Sequence, residues 1–139
     1  MPNRTIVAMP GDGIGKVVLD EAIRVLGKAG FKADYVEADI GWEFWRSGGN
    51  PLPNRTLDLI EKHKIGLFGA ITSKPKDEAF AELASELKDK ELVYSSPIVG
   101  LRQHFGLDIC LRPCRTYTGN PLNFIPRGPN NSIEEPTVD

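Results

Sequence analysis

The order of apolar and polar positions along the chain predicts strands and helices that follow one another in turn. Apolar or alternating runs near residues 5–9, 32–37, 65–71 and 107–112 predict β-strands. After the first run, Leu19, Ile23 and Leu26 recur at helical spacing. A strand, a helix and a second strand in this order predict a parallel sheet with a right-handed crossover. The chain is therefore assigned to the α/β class, with a mostly parallel sheet flanked by helices.

Further helices are predicted between the later strands. Residues 41–49 are rich in aromatic side chains and predict a short helix or an aromatic-anchored loop, with the rings packed in a core. Residues 56–64 predict a helix. Residues 76–90 are highly charged, but their apolar residues keep helical spacing, which predicts one amphipathic helix with a solvated outer face. These apolar residues are Phe80, Leu83, Ala84 and Leu87.

The segment 95–113 combines a short helix with the last predicted strand. Ser96 suits the N-cap position and Pro97 the first helical position, while Gly106 is a typical helix end. The strand after Gly106 alternates apolar and polar residues and ends at Pro113. One arginine lies near the end of each element, Arg102 in the helix and Arg112 in the strand.

This arrangement favours the binding of an anion. A helix N-terminus offers free backbone N–H groups, and the guanidinium group matches a carboxylate in bidentate geometry. A dicarboxylate or tricarboxylate would suit such a site. For Ser96 a plain capping role is compatible with ligand binding, and for Arg112 a structural salt bridge is an equally open alternative.

Two loops after predicted strands carry residues typical of ligand sites. Glycines at 11, 13 and 15 follow the first strand, but their spacing differs from the G-x-G-x-x-G of a Rossmann-type loop. A tight turn that requires small residues is the favoured interpretation. Thr72 and Ser73 follow the apolar run 65–71, at the strand end where open α/β sheets bind ligands. A hydroxyl-rich loop without a ligand role remains the alternative.

Three of these motifs together resemble the isocitrate and isopropylmalate dehydrogenases, which are metal-dependent β-decarboxylating dehydrogenases. The motifs are Pro10-Gly11-Asp12-Gly13-Ile14-Gly15, Gly69-Ala70-Ile71-Thr72-Ser73, and Ser96 with Leu101-Arg102 and Leu111-Arg112-Pro113. The resemblance covers nearly the whole chain but only the N-terminal part of the family's length. It implies an isopropylmalate dehydrogenase-like fold that is incomplete here, and an N-terminal portion of a nicotinamide-dependent oxidative decarboxylase of a 3-substituted malate.

The resemblance also implies roles for the substrate-facing residues. Ser96, Arg102 and Arg112 would bind the substrate carboxylates. Ile98, one helical turn before Arg102, would touch the group on the third carbon, although core packing explains an apolar residue there equally well. Ser96 favours isocitrate and Ile98 favours isopropylmalate, so isocitrate, isopropylmalate and homoisocitrate all remain open.

For the cofactor, the resemblance places Thr72 and Ser73 near the nicotinamide ribose, and Ile14 in a loop beside the cofactor cleft. Lys16-Val17 stands where the family commonly has Pro-Glu, and Lys74 is inserted before Pro75. NAD or NADP and Mg²⁺ or Mn²⁺ are implied as cofactors of the full-length family. The metal ligands and the catalytic lysine and tyrosine would come from sequence beyond this chain. No catalytic residue and no metal ligand is therefore assigned here.

The chain alone is expected to be inactive. It would be the N-terminal part of an enzyme, completed by missing C-terminal sequence, or alternatively a noncatalytic anion-binding module or regulatory subunit-like chain. Residues 1–113 are predicted to form the dehydrogenase-like part, and 114–139 a Pro/Asn-rich loop or tail. A homo-oligomer, such as a homodimer, is expected because an isolated piece would expose apolar surface.

Composition and net charge limit the classes of partner that the chain is expected to bind. The 139 residues are 40% hydrophobic and 26% charged, which is typical of a soluble globular protein. A net charge of −2 gives no electrostatic signal for nucleic acid or a membrane surface, and no apolar run reaches the ~20 residues of a membrane span. The expected location is the cytoplasm, or an organelle matrix if a targeting segment was removed.

Overall fold

The computed structural model describes residues 4–113, so the tail predicted at 114–139 lies outside the described residues. The chain divides into two compact units, Met1–Leu107 and Asp108–Asp139. The helices and strands described below all belong to the first unit. In chain order they are β1 (Arg4–Gly11), α1 (Gly15–Lys28), β2 (Ala33–Glu37), α2 (Trp42–Gly48), α3 (Asn54–His63), β3 (Gly66–Ala70), α4 (Lys76–Ala81), a 3₁₀-helix (Ser85–Lys90) and α5 (Pro97–Phe105).

The strands form a parallel sheet in the order β2-β1-β3, which confirms the predicted α/β class. Val7 of β1 pairs with Val36 on one side and Gly66 on the other, and its side chain is fully buried. Because β1 is central and neighbouring strands run in the same direction, the loops after β1 and β3 meet at one edge of the sheet. This edge holds the residues of the candidate site.

The apolar side chains gather into two clusters. The first cluster packs α3 and α5 against the sheet and contains Val7, Met9, Ala38, Ile40 and Leu101. The second cluster joins α2 to α4 and contains Trp42, Trp45, Ala79, Leu83 and Tyr94. The two indoles are 5% and 1% exposed, so the prediction that the aromatic rings of residues 41–49 serve packing is confirmed.

The single amphipathic helix predicted over 76–90 is wrong, because the structure divides this segment into α4 and the 3₁₀-helix. Ala84 lies between them in an extended conformation, and its N–H donates to the carbonyl oxygen of Arg46 in α2 at 2.9 Å. A tertiary hydrogen bond thus replaces one that a continuous helix would make. Leu83 is buried as predicted, whereas Phe80 is 45% exposed.

The fourth strand predicted over 107–112 is also wrong. The Leu107 N–H donates to the Arg102 carbonyl oxygen at 2.9 Å and so closes the end of α5, where Gly106 is left-handed with φ +60°. Beyond it, Ile109 and Leu111 are 85% and 84% exposed. Alternation selects a side-chain face, but a strand also requires a neighbouring backbone to bond, and these residues have no ladder partner among the described residues.

Candidate functional site

The turn between β1 and α1 is packed directly against the end of β3. A Cβ atom on Gly11 would lie 1.9 Å from the Ala70 carbonyl oxygen, and one on Gly15 would lie 2.2 Å from that of Pro10. The Asp12 N–H donates to the Ala70 oxygen at 2.7 Å. The glycines therefore permit close backbone contact, which supports the interpretation of this motif as a tight turn that requires small residues.

The carboxylate of Asp12 accepts hydrogen bonds from two other segments. The Trp42 N–H lies 2.8 Å from Oδ1 and 2.7 Å from Oδ2, and the Glu43 N–H lies 3.4 Å from Oδ1. The Thr72 N–H donates to Oδ2 at 2.9 Å. Since Gly41, the N-cap residue of α2, contributes no capping side chain, Asp12 satisfies the N-terminus of that helix from the neighbouring turn.

The position of Gly41 explains how the carboxylate reaches this helix end. A Cβ atom there would lie 2.6 Å from both Asp12 oxygens, and its φ of +119° belongs to a region that favours glycine. Sequence reasoning missed Asp12 as a functional candidate because its partners lie 30 and 60 residues away. Its place inside the glycine motif was the only available signal.

Thr72 is held at its carbonyl as well as at its N–H. The Tyr94 hydroxyl donates to the Thr72 carbonyl oxygen at 3.3 Å. Tyr94 is 7% exposed, and burial raises the pKa of its hydroxyl above the ordinary tyrosine value. A hydrogen bond with the Ser73 side chain lowers this pKa, and the nearby Asp12 charge raises it. Tyr94 was likewise not predicted as a site residue.

The aromatic cluster beneath this loop fixes the ring of Tyr94. The Tyr94 ring makes edge-to-face contacts with the rings of Trp42 and Trp45, and its centroid lies 5.0 Å from the first and 5.4 Å from the second. The Trp42 Nε1–H donates to Glu82 at 2.7 Å, and Lys74 forms an ion pair with the same carboxylate. These two hydrogen bonds lower the pKa of Glu82, with the Lys74 bond as the larger cause.

The hydroxyl pair lies where the sequence places it, directly after β3. Thr72 is half-buried and Ser73 is exposed. Ile14, the other residue assigned to cofactor binding, is the N-cap of α1 and is 68% exposed. The Asp12 contacts bring the two loops together, because Asp12 and Ile14 belong to one turn and Thr72 and Ser73 to the other.

Ser96 occupies the predicted N-cap position of α5, followed by Pro97 in the first turn. Its backbone is extended, and its side chain makes no capping hydrogen bond. Because Ser96 follows Tyr94 by only two positions, its Cα lies within roughly 7 Å of the Tyr94 Cα. The Tyr94 side chain therefore links the segment that leads into α5 to the loop that carries the hydroxyl pair.

Ile98 is half-buried and packs against the first cluster, which supports the core-packing alternative for this residue. Arg102 lies one turn further along α5 and is exposed. About 6 Å of helix rise separates them. Ser96, Ile98 and Arg102 thus occupy one short helix.

Arg112 belongs to the second unit, Asp108–Asp139. Its Nε–H donates to the Sγ of Cys110 at 3.2 Å, and its side chain is exposed. The prediction that Arg112 lies near the end of a strand is therefore wrong. Its exposed guanidinium is hydrated by solvent.

A metal centre requires several acidic, histidine or cysteine side chains in one place. Within residues 4–113, no three His, Cys, Asp or Glu side chains come together in a group that could hold an ion. The described residues therefore do not by themselves fit the divalent cation that the resemblance implies. In the same range, no helix is long and apolar enough to cross a membrane.

A parallel sheet flanked by helices, with polar loops gathered at its carboxyl edge, defines an α/β protein. The family described as isocitrate/isopropylmalate dehydrogenase matches residues 5–132, and the chain belongs to this family. The resemblance expected from the three motifs is thereby confirmed.

Curated relatives agree with this family. Protein DlpA of Legionella pneumophila is 40% identical over 121 residues, which cover 86% of this chain and 20% of that protein. A homoisocitrate dehydrogenase of Methanocaldococcus jannaschii is 37% identical, covering 81% of this chain and 28% of the relative. A 3-isopropylmalate dehydrogenase of Burkholderia lata is 33% identical, covering 81% and 29%. The chain thus spans less than a third of the length of these relatives.

Solved structures support the fold. The β-decarboxylating dehydrogenase TK0280 of Thermococcus kodakarensis, in its apo form, matches with a TM-score of 0.52 and 29% identity over 75% of this chain and 27% of that one. The TT0538 protein of Thermus thermophilus matches with a TM-score of 0.57 and 23% identity, over 73% and 18% of the two chains. The parallel sheet and its helices are therefore an architecture found in this family.

Proposed function

We propose that this chain is the N-terminal part of a nicotinamide-dependent oxidative decarboxylase that acts on a 3-substituted malate. The observation that carries the proposal is the joining of three segments at one sheet edge through Asp12, Thr72 and Tyr94. Tyr94 links the loop that carries the hydroxyl pair to the segment that leads into α5. A hydroxyl-bearing ligand at that loop and a carboxylate-bearing ligand at the N-terminus of α5 would therefore bind to connected parts of the protein.

The substrate would bind at α5. Ser96 would donate its hydroxyl to one carboxylate at the helix N-terminus, and Arg102 would bind a carboxylate through its guanidinium fork. Arg112, which the resemblance assigns to substrate binding, would bind a substrate carboxylate in the whole protein. Ile98 would face the substituent on the third carbon, with the malate derivative being isocitrate, isopropylmalate or homoisocitrate.

The dinucleotide, NAD or NADP, would lie against the loops after β1 and β3. Thr72 and Ser73 would hydrogen-bond to its nicotinamide ribose, and the exposed Ile14 would supply an apolar contact. A divalent cation, Mg²⁺ or Mn²⁺, supplies Lewis-acid stabilisation of the enolate when bound. Its ligands would come from outside residues 4–113, so we expect negligible turnover by the 139 residues alone.

We further propose that the whole protein is a homo-oligomer of the cytoplasm or an organelle matrix. Exposed apolar side chains on α1 support the association, since Val17, Val18 and Val25 are 61%, 44% and 63% exposed. An apolar helix face of this kind is stabilised when other protein surface covers it.

The test uses the natural protein that carries this segment, captured from its source extract with an antibody against the segment. Nicotinamide reduction and CO₂ release are measured with Mg²⁺, NAD or NADP, and each of the three substituted malates. Turnover of one substrate supports the proposal. A protein of 15.3 kDa that binds these substituted malates without turnover would instead identify a noncatalytic anion-binding module.

A further inference from the structure

The backbone of Thr72 is fixed from two directions by Asp12 and Tyr94, to which the proposed function assigns no contact with a ligand. Its N–H donates to Asp12 Oδ2 at 2.9 Å, and its carbonyl oxygen accepts from the Tyr94 hydroxyl at 3.3 Å. The two residues reach it from different elements, one from the turn after β1 and the other from the segment before α5. Hydrogen bonds at both ends of one residue leave its backbone little freedom to rotate.

The two holding groups are themselves rigidly placed. The Asp12 backbone is tied to β3 by the bond from its N–H to Ala70, and its carboxylate is tied to α2 by the bonds from Trp42. The Tyr94 ring is packed edge-to-face against Trp42 and Trp45. A movement of Asp12 or Tyr94 would disturb the contacts of Trp42 or Trp45. The packing of these rings therefore also restricts the motion of the loop after β3.

We propose that Asp12 and Tyr94 are positioning residues, which clamp the Thr72 backbone and thereby fix the directions of the Thr72 and Ser73 hydroxyls toward a bound dinucleotide. The assignment rests on the proposed function for the identity of the ligand. Preorganised groups bind more tightly because the entropy of ordering them is not lost on binding.

The Tyr94 hydroxyl serves Thr72 as a donor. A tyrosine hydroxyl has one proton, and here that proton is donated to the Thr72 carbonyl oxygen. A variant that keeps the ring but lacks the hydroxyl therefore loses this bond.

The first measurement is amide hydrogen exchange by NMR in the full 139-residue chain. In Asp12→Asn, a side-chain NH₂ replaces one oxygen and faces an N–H donor, so the Thr72 amide should exchange at least about tenfold faster. Asp58→Asn, which changes an exposed aspartate on α3, is the matched control and should leave the Thr72 exchange rate unchanged. Equal exchange in both variants would overturn the clamp.

Tyr94→Phe provides a second variant that keeps the ring packing and removes only the hydroxyl. Its matched control is Tyr35→Phe, because the Tyr35 hydroxyl is buried without a hydrogen-bond partner in the described part of the chain. We expect line broadening or altered coupling constants at Thr72 and Ser73 in Tyr94→Phe but not in Tyr35→Phe. Unchanged spectra at these two residues would contradict the role of Tyr94.

The second measurement is made on the natural protein that carries this segment, and it separates positioning from general stability. Asp12→Asn should weaken NAD or NADP affinity about tenfold while the KM of the carboxylate substrate stays within about twofold. A merely structural role would reduce the amount of active protein and leave both constants unchanged. Faster exchange at Thr72 without weaker dinucleotide binding would overturn the positioning role.

The two proposals fail in distinguishable ways. If the unmodified natural protein binds no dinucleotide, the proposed function fails, and with it the identity of the ligand, while the exchange data still decide whether the clamp exists. If the natural protein turns over a malate derivative but the Asp12→Asn exchange matches the control, only the clamp fails.

Discussion

The indole N–H of Trp45 donates a hydrogen bond to the carbonyl oxygen of Ala79 at 2.8 Å, and this bond joins α2 to α4. Trp45 is 1% exposed and Ala79 is fully buried. Trp45→Phe would leave a buried carbonyl without this donor and a small cavity, so we expect a loss of about 2–3 kcal/mol in unfolding free energy. Urea denaturation of the unmodified chain and of the variant measures this difference in unfolding free energy.

The control for that substitution is Phe80→Leu, since Phe80 is 45% exposed on the same helix, α4. Its effect should stay within about 0.5 kcal/mol. Equal losses from the two substitutions would show that the Trp45 bond adds nothing to the stability of the second cluster.

The two ends of α1 provide a matched pair of glycine substitutions. A Cβ atom at Gly15 would lie 2.2 Å from the Pro10 oxygen, whereas one at Gly27 would meet nothing within 4 Å. Gly15→Ala should therefore destabilise the protein by about 3 kcal/mol through overpacking. Gly27→Ala should stabilise it by about 0.5–1 kcal/mol because alanine favours the helix. Thermal or urea unfolding of both variants tests whether close contact distinguishes these positions.

The ion pair of Lys74 with Glu82 predicts a pH dependence of stability. The pKa of Glu82 is lowered in the folded state, first by the hydrogen bond from Lys74 and then by that from Trp42. Because this pKa is lowered, the ionised Glu82 stabilises the folded state at pH values above the ordinary glutamate pKa. This stabilisation is lost as the pH falls through the pKa of Glu82 in the folded state. The urea concentration at the unfolding midpoint should therefore decrease less between about pH 7 and about pH 3 in Glu82→Gln than in the unmodified chain.

The exposed Glu86, in the 3₁₀-helix, is the control for that experiment. In Glu86→Gln the urea midpoint should decrease with falling pH as much as it does in the unmodified chain. If both variants show the same reduced dependence of the urea midpoint on pH, the acid sensitivity arises from net charge and not from the Lys74 and Trp42 contacts of Glu82.

Arg102 is the exposed cation on α5 that we assign to the substrate carboxylate. Arg102→Gln in the natural protein should raise the KM of the substituted malate by about 10–100-fold, since a charge-assisted bidentate contact is lost. Arg24→Gln, on α1, also removes an exposed arginine, in that case one paired with Glu21. A raised KM in both variants would point to general charge attraction and away from a specific contact.

Ile98 tests the choice among the three malate derivatives. Ile98→Asn replaces an apolar side chain one turn before Arg102 with one that can hydrogen-bond to a carboxylate substituent. We expect kcat/KM to shift by about tenfold in favour of isocitrate over isopropylmalate. Since Ile98 also packs on the first cluster, the same variant should lose about 1–2 kcal/mol of stability. A stability loss without a change of preference would leave core packing as its only role.

Local signals predicted most of the fold. The apolar run at 65–71 became β3, and the serine, proline and glycine of segment 95–113 mark the start and end of α5 as expected. Each of these signals acts within a few residues of the element that it specifies. The fourth strand failed because pairing depends on a neighbouring backbone, about which the alternation of apolar and polar residues carries no information.

The candidate site was predictable only in part for the same reason. Thr72, Ser73 and Ser96 could be placed because strand ends and helix starts are visible in a sequence. Asp12, Gly41 and Tyr94 could not, since their roles depend on contacts between residues 22, 30 or 60 positions apart, or on a close approach between two loops. The break at Ala84 likewise depends on a bond to α2.

The hydrogen bonds of Asp12 have a consequence for the charge balance of the whole site. A carboxylate has about four lone-pair positions, and here both of its oxygens accept backbone N–H groups from Trp42, Glu43 and Thr72. A divalent cation could recruit this carboxylate only by breaking the links that hold α2 and the loop after β3. The carboxylate that bonds the Thr72 N–H is thus committed to structure, and the negative charge that would neutralise the proposed cation would have to be delivered by other side chains.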